Sequence, residues 1–224
     1  MRNSRVKRSI LVYCSNSYAE SNAANYIQSI NTASALAEHY DYIEILVRGD
    51  AFGMPKTGIA ENISIRSLYG RRSKVGSFCF YFLTAVFLLF TKIKSLLGGY
   101  KVASFNRNIS AGLFSAFLGY DSHLIELHTI PVATTKLIIS IYRKFGKSKI
   151  VAITHSLKTD LCKLFGQDLA DKTLVCPDAH NFELDYLRRA KLTREKTYRE
   201  DLRIAYLGSL LSYKGSDTIY ALSR

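Results

Sequence analysis

The sequence predicts an α/β fold, a doubly wound parallel sheet, and three observations carry that expectation. Short continuous apolar runs such as Ile10-Leu11-Val12-Tyr13-Cys14 and Ile150-Val151-Ala152-Ile153 recur along the chain, as strands covered on both faces require. Between them lie segments whose apolar residues repeat at helical spacing, so strand and helix alternate. The chain has 224 residues, 48% of them hydrophobic, which is enough to bury such a core.

Taken in order, residues 8–14 read as the first strand and 15–21 as a polar loop. Ala24, Ile27, Ile30, Ala33 and Leu36 then mark a helix, and residues 42–48 a second strand, completing a βαβ unit. A loop bearing Gly49, Gly53, Pro55 and Gly58 leads to a short strand at 63–65 and a long apolar helix over 75–97, closed by Gly98-Gly99. The alternation resumes with a strand at 100–105, a helix at 109–118, a strand at 122–128 and a helix at 132–145. A strand at 149–154, a helix at 156–165 and a last strand at 173–176 precede Pro177. The composition then turns strongly charged over 178–202, as in a solvated interdomain linker, and Arg203 to Gly208 restart the pattern. The expected organisation is a first Rossmann-like domain at 1–177, a linker at 178–202 and the first βα unit of a second such domain at 203–224, whose body would lie beyond Arg224.

A net charge of +13 favours polyanionic partners, among them phosphorylated substrates and anionic lipid headgroups. The basic residues are dispersed, with no zinc-finger spacing and no recognition-helix or RNP-type motif, which argues against nucleic acid. Cys14, Cys79, Cys162 and Cys176 form no CxxC or Cys/His cluster and read as reduced, buried thiols of a cytoplasmic protein. The apolar run at 10–14 is too short for a signal-peptide core. No GxGxxG loop follows the first strand, which counts against a dinucleotide-dependent reductase or epimerase.

Candidate ligand-binding residues sit where open sheets hold ligands, at the C-terminal ends of strands. Ser15 and Asn16 follow the first strand and offer small polar groups to a hydroxyl or phosphate, or serve as a capped loop. His128 follows the strand Leu124-Ile125-Glu126-Leu127 and can hydrogen-bond a sugar hydroxyl or phosphate. His155 closes the next strand in a similar place. Lys214-Gly215, after Gly208, would put an ammonium near a helix N-terminus, an arrangement suited to a diphosphate.

Several segments together resemble glycosyltransferase family 4 (group 1), whose GT-B fold sets two Rossmann-like domains face to face. They are the Ala24-Asn25 helix start, Phe105-Asn106-Arg107-Asn108, Glu126-Leu127-His128, the run from Ile150 through Leu157-Lys158-Thr159-Asp160-Leu161, Pro177-Asp178, and Gly208 to Lys214-Gly215. The resemblance implies transfer of a sugar from a nucleotide-diphosphate sugar to a hydroxyl acceptor in surface polysaccharide or glycolipid synthesis, with retention and without a metal or other cofactor. It places catalytic His128 near the transferring sugar and Asn25, Arg107 and Glu126 in the acceptor-side cleft. It sets Lys214 against the diphosphate, and Ser209 where the family usually has an arginine. Because the donor-gripping acids would lie beyond Arg224, the chain is expected to be incomplete alone, or to work with a donor-domain partner chain, or to serve as a non-catalytic acceptor-binding module.

The apolar helix at 75–97 follows Arg71, Arg72 and Lys74 and carries Lys92 and Lys94. Its uncharged stretch falls short of the ~20 residues that cross a bilayer. It reads as a buried or partner-covered helix, or as one lying on an anionic membrane surface where a lipid-linked acceptor resides; the latter implies peripheral attachment to the inner face of the cell membrane.

Overall fold

A computed structural model describes residues 8–18, 24–49, 59–69 and 73–176, all within the unit Met1–Asn181. The expected linker and second-domain start, and with them Ser209 and Lys214, lie outside the described residues. Seven strands form one all-parallel sheet: β1 (Ser9–Tyr18), β2 (Tyr42–Arg48), β3 (Ile63–Leu68), β4 (Lys101–Asn106), β5 (Ser122–Leu127), β6 (Ser148–Ala152) and β7 (Thr173–Val175). Their order is β3-β2-β1-β4-β5-β6-β7, that of a doubly wound sheet whose winding reverses at β1. The helices are α1 (Ala24–Leu36), α2 (Lys74–Gly98), α3 (Ile109–Phe117), α4 (Ala133–Tyr142), α5 (His155–Phe165) and α6 (Gln167–Asp171).

Strand register sorts the side chains onto two faces. On one, Leu11, Tyr13, Ile43, Ile45 and Val47 pack under Tyr26 and Ala33 of α1. On the other, Val12, Cys14, Leu46 and Val102 meet Leu88 of α2 and Ala111 of α3. Farther along that second face, Ile125, Ile150 and Ala152 meet Ile139 and Tyr142 of α4, Leu157 and Leu161 of α5 and Leu169 of α6. On the α1 face, by contrast, Lys149 is exposed and Leu174 is 53% exposed. Val151, between them on the same face, is buried. Among the described residues, α1 packs chiefly on β1 and β2.

Local chemistry fixes the helix starts. Ser73 Oγ accepts from the Gly76 amide, Asn108 Oδ1 from the Ser110 and Ala111 amides, and Thr154 Oγ1 from the Leu157 amide, each relieving an otherwise orphaned donor. α2 stops at Gly99, whose φ of 67° is left-handed.

Three expectations need correction. β1 does not stop at Cys14 but runs on to Tyr18, because Asn16 (φ 57°) absorbs a register shift that lets Tyr18 pair with Arg48. The five-residue α6 lacks a legible apolar period and was not anticipated. The thiols differ among themselves: Cys14 is buried, Cys79 and Cys162 are partly covered and Cys176 is exposed. Burial pushes the Cys14 thiol up to about 12, so it stays protonated.

His123 of β5 is buried, with its ring edge-on to Tyr142 of α4 at 5.4 Å. Burial, and then the nearby Lys147, pull its pKa down to about 4. The unfolded chain, with an imidazole near 6.5, therefore takes up a proton first as pH falls. Stability contributed by the neutral ring is present above about pH 6.5 and is lost as pH falls from there towards 4. By pH 5 the loss reaches about 2 kcal/mol. Thermal melts between pH 7.5 and 5 are expected to show this slope, and His123→Phe to flatten it.

Candidate functional site

A period of two along parallel strands places alternate residues on one face. Leu11, Tyr13 and Ser15 of β1 thus share the α1 face with Phe105 and Arg107 at the end of β4, and with Leu124, Glu126 and His128 at the end of β5. The pairing of Phe105 with Leu124 sets Arg107 level with Glu126. These strand ends flank the point where the winding reverses, which is where open α/β sheets bind ligands.

Arg107, Glu126 and His128 meet there. Arg107 Nε lies 3.6 Å from Glu126 Oε1, and their side chains are 7% and 6% exposed. His128 Nε2 lies 2.6 Å from Glu126 Oε1 and 2.6 Å from Arg107 Nη2. One ring nitrogen cannot serve both partners in the same way. Protonated, Nε2 donates to Glu126; unprotonated, it accepts from Arg107. The proton on Nε2 thus decides whether the imidazole belongs to the carboxylate or to the guanidinium. A ring so placed can pass a proton or orient a hydroxyl while a buried ion pair holds it fixed.

From α1, Gln28 Oε1 accepts from Arg107 Nη2 at 2.8 Å, tying the guanidinium to the helix across the crevice. Behind it Tyr13 and Phe105 stack with ring centroids 5.0 Å apart, a flat apolar floor. Burial first, and then Glu126, raise the Tyr13 phenol well above its ordinary value, so it stays neutral. Ser15 Oγ hydrogen-bonds both Ser17 Oγ and, at 2.6 Å, Ser29 Oγ of α1. This buried hydroxyl chain satisfies polar groups in the β1 extension. Asn16 Oδ1 is buried without a partner among the described residues, and so is Asn106 Oδ1 at the end of β4. A buried acceptor in that state awaits a donor.

His128, 30% exposed, is the open member of the cluster. With Arg107, Glu126, Thr129, Pro131 and Thr135 it lines a hollow of about 240 Å³. That is smaller than the ~300–1,000 Å³ of complete ligand pockets and matches part of one. A larger hollow of about 550 Å³ lies under α2, beside Glu44, Arg66 and Phe87. Its carboxylate is already held by Arg66 Nε at 2.6 Å and by the Tyr42 hydroxyl. Glu44 pairs with Val12 in the middle of the sheet, away from the strand ends. The chemistry therefore favours the smaller hollow.

Of the residues singled out in the sequence, Arg107, Glu126 and His128 come together, and Ser15 and Asn16 lie at the adjoining end of β1. Asn25 belongs to the first turn of α1. His155 does not join them. Thr154 caps α5, so His155 falls in its first turn, exposed, beside a separate hollow with Lys158, Thr159 and Cys162. Sequence reading missed Gln28, Ser17 and Ser29. No spacing in the sequence marks Gln28, whose place comes from the packing of α1 over the crevice.

No family model matches the chain, and no curated protein matches it. Among solved structures it is similar to the N-acetylmannosamine-6-phosphate 2-epimerase of Clostridium perfringens, with 11% identity over 83% of this chain and 93% of that one, at a TM-score of 0.27. At that TM-score the likeness carries no argument about fold or activity.

Proposed function

We propose that the chain is the acceptor-side domain of a GT-B glycosyltransferase that moves a sugar from a nucleotide-diphosphate sugar to a hydroxyl acceptor of surface polysaccharide or glycolipid synthesis. The observation that carries the reading is the buried Arg107–Glu126 pair holding a half-open His128 at the reversal point of the sheet. In this reading the acceptor sits in the hollow beside His128, whose imidazole orients or relays the proton of a hydroxyl. Arg107, paired with Glu126, holds the imidazole in place for that step.

The test is transfer of labelled sugar from a panel of nucleotide-diphosphate sugars to a lipid-extract acceptor, with and without a separately supplied donor domain. His128→Ala is expected to lower turnover at least ~10²-fold, with the melting temperature nearly unchanged. Transfer at the parent rate by this variant would remove His128 from the chemistry. Acceptor binding without transfer under either condition would assign the chain to the non-catalytic binding modules instead.

A further inference from the structure

α2 leaves an unusually apolar surface uncovered. Phe80, Thr84, Leu88 and Ser95 point to the sheet, and the helix is fixed there by three polar ties. Tyr120 Oη donates to the Leu88 carbonyl at 2.9 Å, Lys92 Nζ to the Gly119 carbonyl at 2.6 Å, and Arg48 Nη1 to Ser77 Oγ at 3.1 Å. The guanidinium of Arg48 also lies over the Phe80 ring at 4.7 Å. On the opposite side Val75, Phe78, Phe82, Leu89, Ile93 and Leu96 are all exposed, at spacings of three, four or seven residues. They form a single stripe along 25 residues of helix. At 100° per residue, the exposed Lys74 flanks the stripe on one side and the exposed Lys94 lies on the other. The helix thus has two apolar faces, one for the sheet and one that no described residue covers.

Charge identifies what covers the second face. Between Glu61 and Asp121 the sequence has no acidic residue, while Arg66, Lys74, Lys92, Lys94 and Lys101 are all basic. A second copy of this chain, at +13, would set these lysines against their own kind. An anionic bilayer offers the apolar stripe its acyl boundary and the lysines its headgroups. We propose that the outer face of α2 is an in-plane docking surface for anionic lipid membrane. The helix is long and apolar enough to cross a membrane. Its inner stripe, however, forms core with Val12, Cys14, Val102 and Tyr120, and crossing would strip those contacts away. α2 also begins where β3 ends, so its first turns lie at the strand ends that carry His128. The inference stands apart from the proposed reaction, since it rests on no residue of that site.

Flotation with phosphatidylcholine vesicles, with and without phosphatidylglycerol, tests it. Binding to the anionic vesicles is expected to exceed that to the neutral ones at least tenfold and to weaken with salt. Phe82→Glu and Leu89→Glu, both at exposed positions, are each expected to reduce it at least about tenfold. Lys74→Gln and Lys94→Gln should each reduce it about fivefold. The chain contains no tryptophan, so Phe82→Trp and Ile93→Trp each supply a lone reporter. Quenching by brominated lipids should place both reporters at a similar shallow depth. Parent-like binding by the glutamate variants would overturn the proposal, as would reporters at very different depths. So would a lipid-free dimer that the same variants dissolve, which would give the face to a second copy.

Discussion

Replacing Glu126 with alanine is expected to cost about 3–5 kcal/mol of stability, because it leaves the Arg107 guanidinium, 7% exposed, without its carboxylate. Gln28 and the His128 ring would remain as neighbours of the guanidinium, but neither supplies the missing negative charge. Glu126→Gln keeps oxygen and shape but not charge, and should fall between the parent and the alanine variant. The informative companion is the double replacement Arg107→Met with Glu126→Leu. Removing both charges of a buried pair in favour of apolar side chains of similar volume is often neutral or stabilising. Denaturant titration should therefore show most of the stability recovered, while sugar transfer stays lost. A double variant that recovers both would make the pair structural only.

Gly112→Val is expected to cost about 3 kcal/mol or more. A Cβ built at Gly112 on α3 would come within 2.2 Å of Ile125 Cγ1, with Asn106 Cβ a further 3.6 Å neighbour. Ile125 is wholly buried in the main core cluster and cannot swing away, so the helix must lift off β4 and β5 instead. Those strands carry Arg107 at one end and Glu126 next to the contact. The same substitution should thus loosen the crevice as well as the core, seen as reduced ligand affinity in the fraction that remains folded. Gly112→Ala meets the same atoms with a smaller side chain and should show a milder form of both effects.

Periodicity made most of the sheet legible. The apolar run from Tyr42 to Arg48 gave β2 without error, and the Gly98-Gly99 stop gave the end of α2 to within a residue. The failures have physical causes. Ser15 and Ser17 disguised the end of β1 as a loop, because their hydroxyls are satisfied by one another and by Ser29 rather than by water. Spacing cannot show such a long-range exchange. His155 looked equivalent to His128 because both follow a strand, but β6 ends at Ala152 and the Thr154 cap turns His155 into a helix residue. At the site, His128 was legible from its place at a strand end, whereas Arg107 and Glu126 came only from the family resemblance. Gln28 needed the packing of α1 over the crevice. The two-faced nature of α2 was also out of reach, since composition cannot tell a stripe that meets a sheet from one that meets nothing.

The central claim is that a sugar-bearing ligand occupies the crevice formed by Arg107, Glu126 and His128. ¹³C-edited spectra of the imidazole and methyl groups, recorded while nucleotide-diphosphate sugars and sugar acceptors are titrated in, address it directly. The expected result is a saturable shift of the His128 ring with the methyls of Leu127 and Thr135, abolished in the Arg107→Met, Glu126→Leu double variant. Shifts confined to Leu83 and Val86 in the hollow beneath α2, with His128 unmoved, would contradict it.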